Sequence, residues 1–163
     1  MKKFTKVLAV LLAVAVFATA FAACSKNGST SSKVKVIDIA LSDEEYAFGV
    51  DKNQPELKQQ VNDFVAEIKS NGKLDEICNK YFADGTPEGI TSATQDPSKD
   101  QLVVATNAEF APFEYKQGDQ FFGIDMEIAN LLAQKLNKEL VIVDMAFDAV
   151  LLSVQQGKAD IGM

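Results

Sequence analysis

Arginine and histidine are both absent from the 163 residues, and cysteine occurs twice. Without Arg there is no planar fork to hold a buried carboxylate through two parallel hydrogen bonds. The chain has no His, no P-loop, no HExxH-like zinc pattern and no nucleophile beside a plausible base, so nothing in it calls for catalysis, a metal or a cofactor. A general acid would have to be Glu109, Glu114 or Asp125. The two cysteines are Cys24 and Cys78, so an intramolecular disulfide would need both; Cys78 reads as a small buried apolar residue on a helix. Basic charge is also scarce, with 16 Lys against 23 Asp and Glu and a net charge of −7. Three of those lysines lie in the first six residues, so the remainder is more acidic still, which argues against nucleic acid as a partner.

What is present begins with Lys2, Lys3 and Lys6, an apolar run over residues 7–17, and small residues up to Ala23. Residues 1–23 read as a secretory signal peptide, too short and too rich in Ala at its end for a membrane span. Phe21-Ala22-Ala23-Cys24 resembles the lipobox of bacterial lipoproteins, with Phe21 where Leu is preferred. The resemblance implies lipidation of Cys24 and an extracytoplasmic, lipid-anchored product, with residues 24–33 as a flexible tether. The competing reading is a plain signal peptide with an incidental cysteine.

Residues 34–40 and 45–50 read as two short strands. Pro55 suits the first turn of a helix carrying Leu57, Val61, Phe64, Val65 and Ile68, closed by Gly72. A second helix follows with Leu74, Ile77, Cys78, Tyr81 and Phe82 on one face. Residues 102–105 form a short strand, and Pro112 argues against regular pairing after it, so residues 107–115 are expected to be a loop above a strand end. From Gly123 the period changes to 3.6, because Ile124, Ile128, Leu131, Leu132 and Leu136 share one helix stripe. Asp125 reads as a cap for that helix. Residues 140–143 are a continuous apolar run, as in a parallel strand covered on both faces. Asp148 is expected to cap a last helix with Leu151, Leu152 and Val154 as its apolar residues and Gly157 at its end, before a strand over residues 160–163.

Three blocks carry a resemblance. They are Ala-Thr-Asn-Ala-Glu-Phe-Ala-Pro-Phe-Glu-Tyr (105–115), Phe-Gly-Ile-Asp-Met-Glu-Ile-Ala (122–129) and Phe-Asp-Ala-Val-Leu-Leu-Ser-Val-Gln-Gln-Gly-Lys-Ala-Asp-Ile-Gly-Met (147–163). In order and spacing they resemble the amino-terminal half of the bacterial extracellular solute-binding proteins of family 3, the polar amino-acid-binding lipoproteins of ABC importers. Residues 34–91 resemble the carboxy-terminal end of the same family, through Glu45-Tyr46-Ala47-Phe48-Gly49-Val50, Pro55-Glu56-Leu57, Gly72-Lys73-Leu74-Asp75-Glu76-Ile77 and Lys80-Tyr81-Phe82. The family segments therefore stand in reversed order, the second lobe is missing, and residues 92–101 read as a linker. Two readings account for this: a circularly permuted lobe, or a fragment of a tandem receptor that is truncated at Met163. In both, residues 34–91 and 102–163 are complementary parts of one core.

The resemblance implies an α/β fold: a single lobe of a type II periplasmic-binding-protein fold, with a mostly parallel sheet flanked by helices. It implies ligand contacts at Asn107, as a polar group, and at Phe110 and Phe147, as aromatic walls. Many family members have Asp where this chain has Asn107. Read alone, Phe110 and Phe147 could equally be core aromatics, Asn107 a turn residue, Phe113 a packing residue, and Glu109 and Glu114 solvated loop carboxylates, although two acids in one loop could attract a cation. In the family the Arg that holds the ligand α-carboxylate lies beyond the strand that ends here at Met163. The expected function is thus an extracytoplasmic amino-acid-binding component of an ABC importer, incomplete and weak in ligand capture. Its partners would be a small-molecule amino acid, a permease and, through the lipid anchor, a membrane. The alternative is a noncatalytic remnant or interaction domain that keeps the lobe fold without binding ligand.

Overall fold

In a computed structural model that describes Ile39 and residues 44–163, the elements run in chain order as β1 (Gly49–Val50), α1 (Pro55–Ser70), α2 (Lys73–Phe82), β2 (Gln101–Thr106), β3 (Glu109–Phe110), β4 (Glu114–Gln117), β5 (Gln120–Phe122), α3 (Ile124–Lys135), β6 (Glu139–Asp144), α4 (Phe147–Gln155) and β7 (Ile161–Gly162). The signal peptide, Cys24 and, apart from Ile39, which is a bend, the strand expected over residues 34–40 lie outside the described residues, and the strand expected over 45–50 is confined to Gly49–Val50.

The main sheet has the order β1-β7-β2-β6. β2 runs parallel to β6 in register from Gln101↔Glu139 to Thr106↔Asp144, and parallel to β7 through Val104↔Ile161. β1 joins antiparallel to β7. Period-two alternation in β2 divides the apolar residues between two layers. Leu102 and Val104 face a core built with Val61, Phe64 and Ile68 of α1, Ile77 of α2, and Ile124, Ile128 and Leu132 of α3. Ala105, with Val103 beside it, packs on Val150 and Val154 of α4. The result is an α/β lobe whose mostly parallel sheet has helices on both sides, and residues 44–91 and 102–163 contribute to the same sheet and the same core.

Polar contacts join the two pieces as well. Lys80 Nζ donates to Glu127 Oε2 at 2.7 Å and the Tyr81 hydroxyl donates to Glu127 Oε1 at 2.8 Å. That hydroxyl in turn accepts from the Gly123 N–H at 3.0 Å. Within the stretch expected as a linker, Ser92 and Ala93 lie against β6, where the Ala93 N–H donates to the Leu140 carbonyl (2.9 Å) and the Ile142 N–H to Ser92 Oγ (2.8 Å), and Gln101 already belongs to β2. Backbone groups that an edge strand would leave open are thereby satisfied.

Several local expectations need correction. Residues 107–115 are not simply a loop. Glu109↔Tyr115 and Phe110↔Glu114 pair across Pro112, and β3, β4 and β5 form a small antiparallel sheet; Pro112 sits in the turn, where its missing N–H is not needed by a partner strand. The helix caps are also different. The residue before α3 is Gly123 and the residue before α4 is Ala146, neither with a side-chain cap. Backbone explains why α3 needs none, because Ile124 N–H donates to the Pro112 carbonyl and Asp125 N–H to the Phe113 carbonyl. Asp125 and Asp148 sit inside the first turns, where they still favour the helix dipole. On α4 the buried residues are Val150, Ser153 and Val154, whereas Leu151 and Leu152 are exposed. Cys78 is on α2 as expected, but only half-buried.

Candidate functional site

Three parallel strands, β2, β6 and β7, point their carboxyl ends the same way, and open α/β sheets bind ligands beyond such ends. Asn107 follows β2, Phe147 follows β6 and Met163 follows β7. Because β1 is antiparallel, it is Tyr46, Ala47 and Phe48 before it that reach the same end. These residues, with Phe110, Phe113, Glu114 and Asp125, line a cleft of about 490 Å³. The structure therefore brings Asn107, Phe110 and Phe147 together.

Asn107 Nδ2 donates to the Met145 carbonyl at 3.1 Å, and the Ala108 N–H donates to Asp144 Oδ1 at 3.0 Å. The loops after β2 and β6, which lead to Phe110 and Phe147, are tied to each other by these bonds. Both rings are exposed, at 55% and 77%, so neither is a core aromatic. Phe113 is the hub of an aromatic cluster: Tyr46 stacks on it at 4.7 Å between centroids, Phe110 at 5.7 Å, and Phe82 meets it edge-on at 6.4 Å. A half-buried ring that holds two exposed rings in offset stacking gives them a defined orientation.

Glu109, on β3, is exposed and lines a separate depression with Asp144 and Met145. Glu114 is not solvated. Its side chain turns inward from β4, 8% exposed, and Oε2 has no hydrogen-bond partner. Burial, together with the charge of Asp125, pushes the Glu114 carboxyl up to about 7, and burial pushes Asp125 up to about 6. No cationic side chain lines the cleft among the described residues. Tyr46, Glu114 and Asp125 are the site residues that sequence reasoning did not assign. The Glu109/Glu114 pair of acids was the available signal, but only the pairing of β4 with β3 and β5 shows which of the two faces inward.

Among the described residues no helix is long and apolar enough to cross a membrane, and no cluster of three metal-binding side chains occurs.

Residues 5–84 and 102–163 match the sequence profile of the bacterial extracellular solute-binding proteins, family 3. The arginine-binding extracellular protein ArtP of Bacillus subtilis (strain 168) is 33% identical over 73 residues, which are 45% of this chain and 29% of that protein. The probable ABC transporter arginine-binding protein ArtJ of Chlamydia trachomatis serovar D is 34% identical over 67 residues, 40% of this chain and 26% of that protein. Among solved structures, the ancestral cationic amino acid solute binding protein AncCDT-1 is 34% identical, covering 39% of this chain and 28% of that one, with a TM-score of 0.38. The chain thus spans less than a third of the length of the curated relatives it matches. With most of its residues inside the matched profile, the chain belongs to the bacterial extracellular solute-binding proteins, family 3.

Proposed function

We propose that this chain is an extracytoplasmic amino-acid-binding component of an ABC importer, anchored by lipid on Cys24, and that Asn107, Phe110 and Phe147 contact the ligand. The observation that carries the reading is the convergence of those three residues on one cleft at the carboxyl ends of the parallel strands. The acidic floor and the absence of lysine from the described lining favour a cationic amino acid, in agreement with the names of the relatives above. The role is binding rather than catalysis. Residues 34–91 and 102–163 act as carboxy-terminal and amino-terminal family segments in reversed order, a reading supported by the pairing of β1 with β7.

Capture by the 163-residue chain is weak. Phe110 and Phe147 face solvent over more than half their surface, and polar contacts made beside water contribute about 1 kcal/mol or less each. With no Arg in the sequence, the α-carboxylate lacks a bidentate partner, which removes on the order of 2 kcal/mol, more than tenfold in Kd. Titration with the twenty amino acids, followed by NMR, tests the reading: lysine or arginine should shift the cleft resonances at millimolar concentration. An absence of shifts with every amino acid would favour a remnant that keeps the lobe without its ligand. For the anchor, Cys24→Ala should move the product out of the detergent phase, and unchanged partitioning would refute lipidation.

A further inference from the structure

Two glutamates among the described residues are nearly fully buried, Glu114 and Glu127. Glu127 is compensated by Lys80 and Tyr81. Glu114 has a sealed, unpartnered Oε2 and lines the cleft beside half-buried Asp125. An uncompensated buried carboxylate is expensive, and a second carboxylate beside it makes double ionisation worse. The groups that face this pair offer no relief within the cleft. Tyr46, from the segment before β1, is held protonated chiefly by its hydrogen bond to Glu44, and Cys78 of α2, in an adjoining groove, chiefly by burial; the negative charge of Asp125 pushes both in the same direction. Lys69 of α1 lines an adjoining groove that shares Asp125, but does not line the cleft itself.

We propose that Glu114 and Asp125 hold one proton between them when the cleft is empty, and that a cationic ligand group entering the cleft expels it, so that cation capture releases a proton to solvent. The inference rests on the cationic amino-acid reading above. In the exchange a carboxylic acid O–H breaks, its proton passes to water or buffer, and the carboxylate left behind pairs with the ligand cation. The raised values of the two groups, about 7 and about 6, put this exchange near neutral pH. Apparent affinity for a cationic amino acid should then fall by about tenfold for each pH unit below 7.

The test is a pH titration of the full chain, labelled with carbon-13 at the Asp and Glu carboxyls, with and without saturating L-arginine, using Glu114→Gln to assign the Glu114 signal. Glu114 is expected to titrate near 7 in the empty cleft and lower by about one unit or more with arginine bound. Neutral L-citrulline should leave its midpoint in place. In Asp125→Asn the midpoint should drop even without ligand, because the neighbouring anion is gone. An ordinary carboxylate midpoint for Glu114 in the empty cleft, or no change in Asp125→Asn, would overturn the shared proton. Arginine-induced shifts at Asn107 and Phe110 with an unmoved Glu114 midpoint would overturn the coupling and leave the binding reading standing. No arginine-induced shift anywhere in the cleft would overturn both.

Discussion

Replacing Glu114 by Gln should stabilise the protein at alkaline pH and have little effect at pH 4.5. The Glu114 carboxyl rises from an ordinary 4.5 to about 7 in the folded state because burial penalises its charged form. Between those values the folded chain binds more protons than the unfolded chain, so stability falls as pH rises through the window and the loss is complete above it. At about 1.4 kcal/mol per pKa unit, the loss is roughly 3 kcal/mol. Asp125 acts in the same direction over a lower window, from 3.8 to about 6, and the two are coupled, so their effects do not simply add. Gln keeps the shape and never ionises. It should therefore recover about 2 to 3 kcal/mol at pH 8, a rise in Tm on the order of 10 °C for a domain of this size. Thermal melts followed by circular dichroism at pH 4.5, 6 and 8, in enough salt to screen the general acidic repulsion, would measure this. The same gain in Tm at every pH, or a loss of stability at pH 8, would show that Glu114 carries no ionisation penalty in the folded chain.

Three other perturbations address how the two pieces are held together. Lys80→Ala leaves Glu127 buried with only Tyr81 as donor, and should lower unfolding free energy by about 2 kcal/mol in chemical denaturation; a value within experimental error of wild type would show that the pair contributes nothing. Residues 102–163 expressed alone expose the core faces that meet Val61, Phe64, Ile68 and Ile77, and should show no cooperative melt; a sharp transition would separate the pieces into independent folding units. Gly123→Ala should unfold or severely destabilise the chain, by roughly 3 kcal/mol or more, because φ is +130° and a Cβ would lie 2.0 Å from the Phe113 carbonyl oxygen; near-native stability would contradict that geometry.

Periodicity made the larger elements legible. Stripes such as Val61, Phe64 and Ile68, or Ile124, Ile128 and Leu132, are dictated by burial and are visible in any linear reading. Less legible were features set by tertiary neighbours. Asp125 reads as a cap in sequence, yet the carbonyls of Pro112 and Phe113 already satisfy the α3 terminus, which frees its carboxylate for the cleft. Met126, on the other side of the expected stripe, is fully buried because α3 is covered on more than one face. Of the apolar residues read on α4, Val154 is buried against the sheet together with Val150, whereas Leu151 and Leu152 are exposed. Of the site, Asn107, Phe110 and Phe147 came from the family resemblance, whereas Tyr46 and Glu114 required the strand pairings that turn them towards the same space.

The most direct test of the binding reading is a titration of the 163-residue chain and its Phe110→Ala variant with L-arginine, followed by NMR. Saturable shifts are expected at Asn107, Phe110 and Phe147 with a Kd in the millimolar range, weakened further in the variant by about tenfold for the loss of one aromatic wall. Arginine shifts that fall elsewhere on the chain, or that survive unchanged in Phe110→Ala, would contradict it.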